Sequence, residues 1–193
     1  MLWSATVIEG RPTLLVVDAS RNLAGWESGF CDRLFTTMRR RGMGLVGAGP
    51  LRAGHLEELS PHLDAIDDAN CVLIVTHDSE TNPPSSVELL GYWEWMNAHV
   101  RGPKLFAGCS WRSYDPEVSQ AILGGAPHFA PLAVAPRSPV APREGGLYFM
   151  KFFTELDLHA EKELSGRMAW FSGSKARELL RRRRLGGVFG VLC

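Results

Sequence analysis

Residues 70–115 read NCVLIVTHDSETNPPSSVELLGYWEWMNAHVRGPKLFAGCSWRSYD, and this stretch decides the fold. It holds two apolar runs, each ending in a chemically capable side chain. Cys71 to Val75 leads to His77, and Lys104 to Ala107 leads to Cys109. Between them Leu89, Trp93, Met96 and Val100 recur at three or four residues, the stripe of an amphipathic helix. Ser85 or Ser86 can cap that helix after the polar loop DSETNPPSS, and Gly102-Pro103 closes it. Two strands joined by a crossover helix run parallel, so their carboxyl ends sit side by side, about 4.7–4.9 Å apart. Open α/β sheets bind ligands over that edge. An imidazole and a thiol leaving adjacent strand ends meet there as a His/Cys dyad. The plainer reading is that two strand-end residues happen to be His and Cys.

Toward the amino terminus, TLLVV (Thr13 to Val17) is a buried first strand whose polar exit, Asp18-Ala19-Ser20, falls on the same sheet edge. Phe30, Leu34 and Met38 mark a helix ending at Gly42, with Arg39, Arg40 and Arg41 suiting the negative end of its dipole. Met43 to Val46 is a second strand. Leu56, Leu59, Leu63 and Ile66 form a helical stripe broken or started near Pro61, with His55 and His62 on the surface. Toward the carboxyl terminus, Asp115-Pro116-Glu117 starts a short helix that stops at Gly124-Gly125. Phe129 to Val134 is a fifth strand and Ala135 to Pro142 a loop. Leu147, Met150, Phe153 and Leu156 mark a further helix. Ser174 can cap a last helix running to Arg184, followed by LGGVFGVLC. Arg181 to Arg184 beside this apolar tail suit acidic lipid or a partner, or a basic helix end before a final buried strand; composition favours the strand.

The 193 residues suit one domain, residues 1–193. Lysine and arginine together number 21, as do the acids, so net charge is zero and exerts no general pull toward nucleic acid. The cysteines Cys31, Cys71, Cys109 and Cys193 are scattered, without the spacing of a zinc site or a disulfide framework, which fits a reducing compartment. Cys31 and Cys71 fall in apolar elements and read as core. MLWSATVIEGRP lacks a signal-peptide pattern, and no run approaches the roughly 18 apolar residues of a membrane span. The expectation is a cytoplasmic protein with neither metal nor cofactor.

The element order, with His and Cys on the third and fourth strands, resembles the caspase-like fold shared by caspases, metacaspases, gingipains and separases, and most of all bacterial CHAT domains. The residues that carry the resemblance are VTHDSE, LFAGCSW, VSQAILGGAP, HFAPLAV and LYFMKFFTEL. It covers residues 13–156 and leaves 157–193 as a helical, basic extension. It implies an α/β three-layer sandwich with a mostly parallel central sheet flanked by helices. It also implies a cysteine endopeptidase acting on a protein or peptide substrate, with a regulatory protein partner possible.

In that family Cys109 attacks the peptide carbonyl and His77 protonates the leaving amine. The backbone N–H groups of Cys109 and Asp78 are the oxyanion donors. The family usually has glycine after the histidine; Asp78 keeps the N–H and adds a negative side chain near the developing oxyanion. By resemblance to metacaspase-type sites, Asp18 binds a basic side chain of the substrate; taken alone, it is a turn-former at a strand exit. Two other readings compete. One is a catalytically inactive caspase-like domain serving as a scaffold or partner-binding module. The other is a TIR-like NAD-hydrolysing domain using Glu88 or Glu94, which leaves the Cys-bearing half unexplained.

Overall fold

Runs buried on both faces are the signature of a parallel sheet, and four such runs build this one. The computed structural model describes residues 7–20, 29–77, 85–111, 116–117, 120–121, 132–136, 142–183 and 189–192. The strands are β1 (Val7–Glu9), β2 (Thr13–Asp18), β3 (Gly44–Leu45), β4 (Leu51–Arg52) and β5 (Cys71–His77), then β6 (Leu105–Trp111), β7 (Leu132–Pro136), β8 (Glu163–Ser165) and β9 (Phe189–Leu192). The main sheet has seven strands in the order β3-β2-β5-β6-β7-β9, with β4 also pairing β2. Every pair is parallel except β7–β9. β1 and β8 form a separate antiparallel pair.

Helices cover both faces. On one lie α1 (Phe30–Arg40), α4 (Pro142–His159) and α5 (Gly166–Arg182); on the other lie a 3₁₀ segment (Leu56–His62), α2 (Leu63–Asp68) and α3 (Ser85–His99). Alternate residues of β5 serve the two layers: Cys71, Leu73 and Val75 face the first, Val72 and Ile74 the second. The result is an α/β three-layer sandwich, mostly parallel at its centre, as the strand–helix alternation predicts. α4 supplies the largest apolar mass, Tyr148, Phe149, Phe152 and Phe153, all buried and stacked or edge-on to one another. Across the sheet Trp93 meets Phe106 edge-on at 4.8 Å, a packing role.

Polar staples fix the amino-terminal edge. Asn70 accepts from the Thr13 N–H at 2.7 Å and donates to the Arg11 carbonyl at 2.7 Å, tying the starts of β2 and β5 together. Lys104 is buried and donates to the Asp67 and Ala69 carbonyls at 2.9 and 2.5 Å. The helix stops follow backbone chemistry. Gly42 and Gly102 hold φ of 81° and 80°, the left-handed conformation that glycine adopts without a Cβ penalty.

Several expected boundaries shift. The first strand runs through Asp18 rather than ending at Val17, because pairing with β4 and β5 continues that far. The second strand divides into β3 and β4 on either side of the Gly-Pro turn, both beside β2. The fifth strand extends to Pro136, so Ala135 and Pro136 belong to the sheet and not to a loop; Phe129 to Pro131 lie outside the described residues. The break near Pro61 appears as the change from the 3₁₀ segment to α2. Residues 116–117 and 120–121 are helical, and the proposed cap Asp115 lies outside the described residues. The last helix begins at Gly166, with Ser165 as N-cap, and not at Ser174. Ser174 sits inside α5, where Arg177 Nη2 donates to its hydroxyl at 3.2 Å. The described part of residues 157–193 is integral to the body: α5 packs its Ala169, Ala176 and Leu180 into the main core, and β9 closes the sheet against β7.

Candidate functional site

Parallel pairing lines residues up in rows across the sheet, and one row crosses its carboxyl end. Arg52 is registered with Asp18, Asp18 with Val75, and Val75 with Cys109. His77 is the last residue of β5, two positions beyond Val75, and is registered with Trp111. Strand spacing and rise put the Cα atoms of His77 and Cys109 about 8 Å apart. The two sequence-predicted residues thus occupy the carboxyl ends of adjacent strands, with Asp18 one strand further over. Asp78 and Cys193 lie outside the described residues. Glu88 and Glu94 fall on α3, and the Glu94 side chain is exposed.

Cys109 is fully buried, a thiol in no disulfide, in the apolar layer under α1 and α4. Its carbonyl accepts a 3.4 Å hydrogen bond from the Thr76 hydroxyl, itself buried, which ties β6 to β5 beside the site. Gly108, just before it, sits under Leu89: a Cβ there would come within 3.0 Å of the Leu89 side chain. That glycine lets α3 lie close to the strand carrying the thiol.

Two further residues belong to this site, and the sequence does not announce either as part of it. Cys31, on the first turn of α1, is buried on the same side of the sheet as Cys109. Burial pushes its thiol well above the ordinary value, and the negative charges of Asp18 and of an ionised Cys109 push in the same direction. Arg52 is the second. Its Nη1 lies 2.6 Å from Asp18 Oδ2 and its Nη2 lies 2.6 Å from Asp32 Oδ2, so one guanidinium bridges two carboxylates. Partial burial works against the Arg52 charge, but the two carboxylates outweigh it and raise the guanidinium pKa. Asp18, only 5 % exposed, also accepts from the Ser20 N–H at 3.3 Å and from the Ser20 hydroxyl. The pairing is tertiary: Arg52 reaches Asp18 only because a two-residue strand docks beside β2.

The other sequence-named groups lie apart from this edge. His55 and His62 are exposed, and His55 begins the 3₁₀ segment with its N–H donating to Glu58 at 3.2 Å. Cys71 is buried at the opposite, amino-terminal end of β5, where burial pushes its thiol far up. Among the described residues, no three His, Cys, Asp or Glu side chains converge as metal ligands. No helix among them is long and apolar enough to cross a membrane. No family model, curated protein or solved structure matches the chain.

Proposed function

We propose that the chain is a caspase-like cysteine endopeptidase of the CHAT type, with Cys109 as nucleophile and His77 as proton carrier. The observation that carries this reading is the register: Asp18, Val75 and Cys109 share one row at the carboxyl edge, and His77 stands two positions beyond it. In the reaction, the Cys109 thiol gives its proton to His77, Sγ bonds to the carbonyl carbon of a peptide while the C–N bond breaks, and His77 passes that proton to the departing amine. Water then attacks the thioester, His77 takes the water's proton, and the acid product and free thiol are restored. The backbone N–H groups of Cys109 and Asp78 stabilise the oxyanion. Asp18 receives a basic side chain of the substrate, a role that Arg52 fills in the free chain. The thiols of Cys31, Cys71 and Cys109, none of them in a disulfide, fit work in a reducing cytoplasm.

Two observations favour a second reading, an inactive partner-binding domain. Cys109 has no solvent-exposed surface, and Asp18 already holds an internal guanidinium. The two readings separate in one experiment, labelling with an electrophilic peptide carrying arginine at the residue before the reactive group. Labelling that requires both Cys109 and His77, tested as Cys109→Ala and His77→Ala, and that accelerates in Arg52→Ala, supports the peptidase. Labelling of Cys109 no faster than of Cys31 or Cys71 removes it in favour of the binding module.

A further inference from the structure

Four large apolar side chains are exposed among the described residues, and two of them stand side by side on α5. They are Val7, Leu158, Trp170 and Phe171, exposed by 42, 63, 36 and 36 %. Val7 is registered with Ser165, the cap of α5, and His159, the last residue of α4, meets Phe171 edge-on at 5.0 Å; Leu158 lines a separate hollow with Met38, Met43 and Phe153. Between α4 and α5, Trp170 and Phe171 line a hollow of about 440 Å³ together with His159, Ser165, Arg167 and Met168. Scattered single apolar residues on a surface are ordinary, but a contiguous patch around a hollow marks a contact site.

The charge along the exposed face of α5 is mainly basic. α5 exposes Arg167, Lys175, Arg181 and Arg182, and its only acid, Glu178, pairs with Arg182. The Lys175 ammonium sits 5.4 Å above the Phe171 ring, so cation and apolar floor adjoin. Glu9 and Glu163, a register pair, stand on the other side of the hollow, on the β1–β8 ribbon. The face is therefore an apolar hollow followed by a basic track about 20 Å long along the helix.

We infer that this face docks an acidic protein segment, with one or two large apolar side chains seated in the hollow and carboxylates running along α5 toward Arg181. Concavity decides between a peptide and an anionic bilayer. Trp170 and Phe171 line a recess and are only about a third exposed, whereas insertion among headgroups requires apolar side chains that protrude. The hollow has room for anchors of leucine or phenylalanine size, and the basic track complements the acids.

The test uses a fluorescein-labelled synthetic peptide with phenylalanine and leucine anchors followed by glutamates, and a control with lysines replacing the glutamates. The full chain binds the acidic peptide, more weakly as salt rises, and does not bind the lysine control. Phe171→Ala with Trp170→Ala weakens binding at least about tenfold, as does Arg167→Glu with Lys175→Glu, while thermal melting confirms that each variant folds. Absence of binding, equal binding of both peptides, or binding indifferent to these variants overturns the inference. So does co-sedimentation with phosphatidylserine vesicles by a chain that ignores the acidic peptide, which assigns the face to membranes instead.

Discussion

Cys31, Cys71 and Cys109 share one side of the sheet, and the first two have thiols whose pKa burial raises. Such a thiol keeps its proton in the folded chain at a pH where the unfolded chain has already ionised. The stability it contributes is complete below the unfolded value of about 8.5 and is lost as pH rises from there toward the folded value. Lys104 acts in the opposite sense, because burial lowers its pKa and makes the unfolded chain the better proton binder. Its contribution therefore grows as pH climbs toward about 10.4. Comparison with a variant separates the two. Urea unfolding of Cys71→Ala at pH 7 shows a loss of about 1–2 kcal/mol from the deleted sulfur, and that deficit narrows by pH 10. Curves that stay parallel across this range contradict a raised Cys71 pKa. At this scale the sequence identified the candidates. It named His77, Cys109 and Asp18 and assigned Cys31 and Cys71 to the core. Arg52 escaped notice, because nothing local to it encodes a contact across 34 positions of chain.

Helix packing turns on a few close approaches, and the tightest in the layer over Cys109 is that of α4 on α1. A Cβ added to Gly146 would lie 2.9 Å from Cε2 of Phe30. A larger side chain there pushes the Phe30 ring, and with it the first turn of α1 that carries Cys31. Gly146→Val is therefore expected to lower stability by about 1–3 kcal/mol through overpacking, measured by denaturant unfolding, and adding Phe30→Leu restores part of the loss. No recovery in the double variant places the strain elsewhere. Periodicity made α1, α3 and α4 legible, since each buries a stripe at helical spacing. α5 was legible only from Ser174 onward: its first half, GRMAWFSG, has exposed aromatics and glycines where a stripe is expected. The start of that helix depends on β8 pairing with β1, which positions Ser165 as its cap.

Across the whole molecule, the final strand that composition favoured closes the sheet at the carboxyl terminus. β9 covers the edge of β7, whose Leu132, Ala133, Val134 and Ala135 are all buried. Ending the chain after Arg183 removes β9 and bares an apolar strand edge, an aggregation template. The truncated chain is expected to elute in the void volume on size exclusion while the full chain does not; a monodisperse truncated protein refutes this. The sequence by itself determined the α/β class, the parallel neighbours β5 and β6, and the arrival of His77 and Cys109 at their carboxyl ends. Apolar runs and helical stripes are local patterns with a fixed period, so a single chain displays them. Only the tertiary structure decided that Arg52 neutralises Asp18, that Cys109 is sealed from solvent, and that Trp170 and Phe171 face outward around a hollow. Each depends on which distant segments pack together, and such pairing energies come from burial and register rather than from any short stretch of sequence.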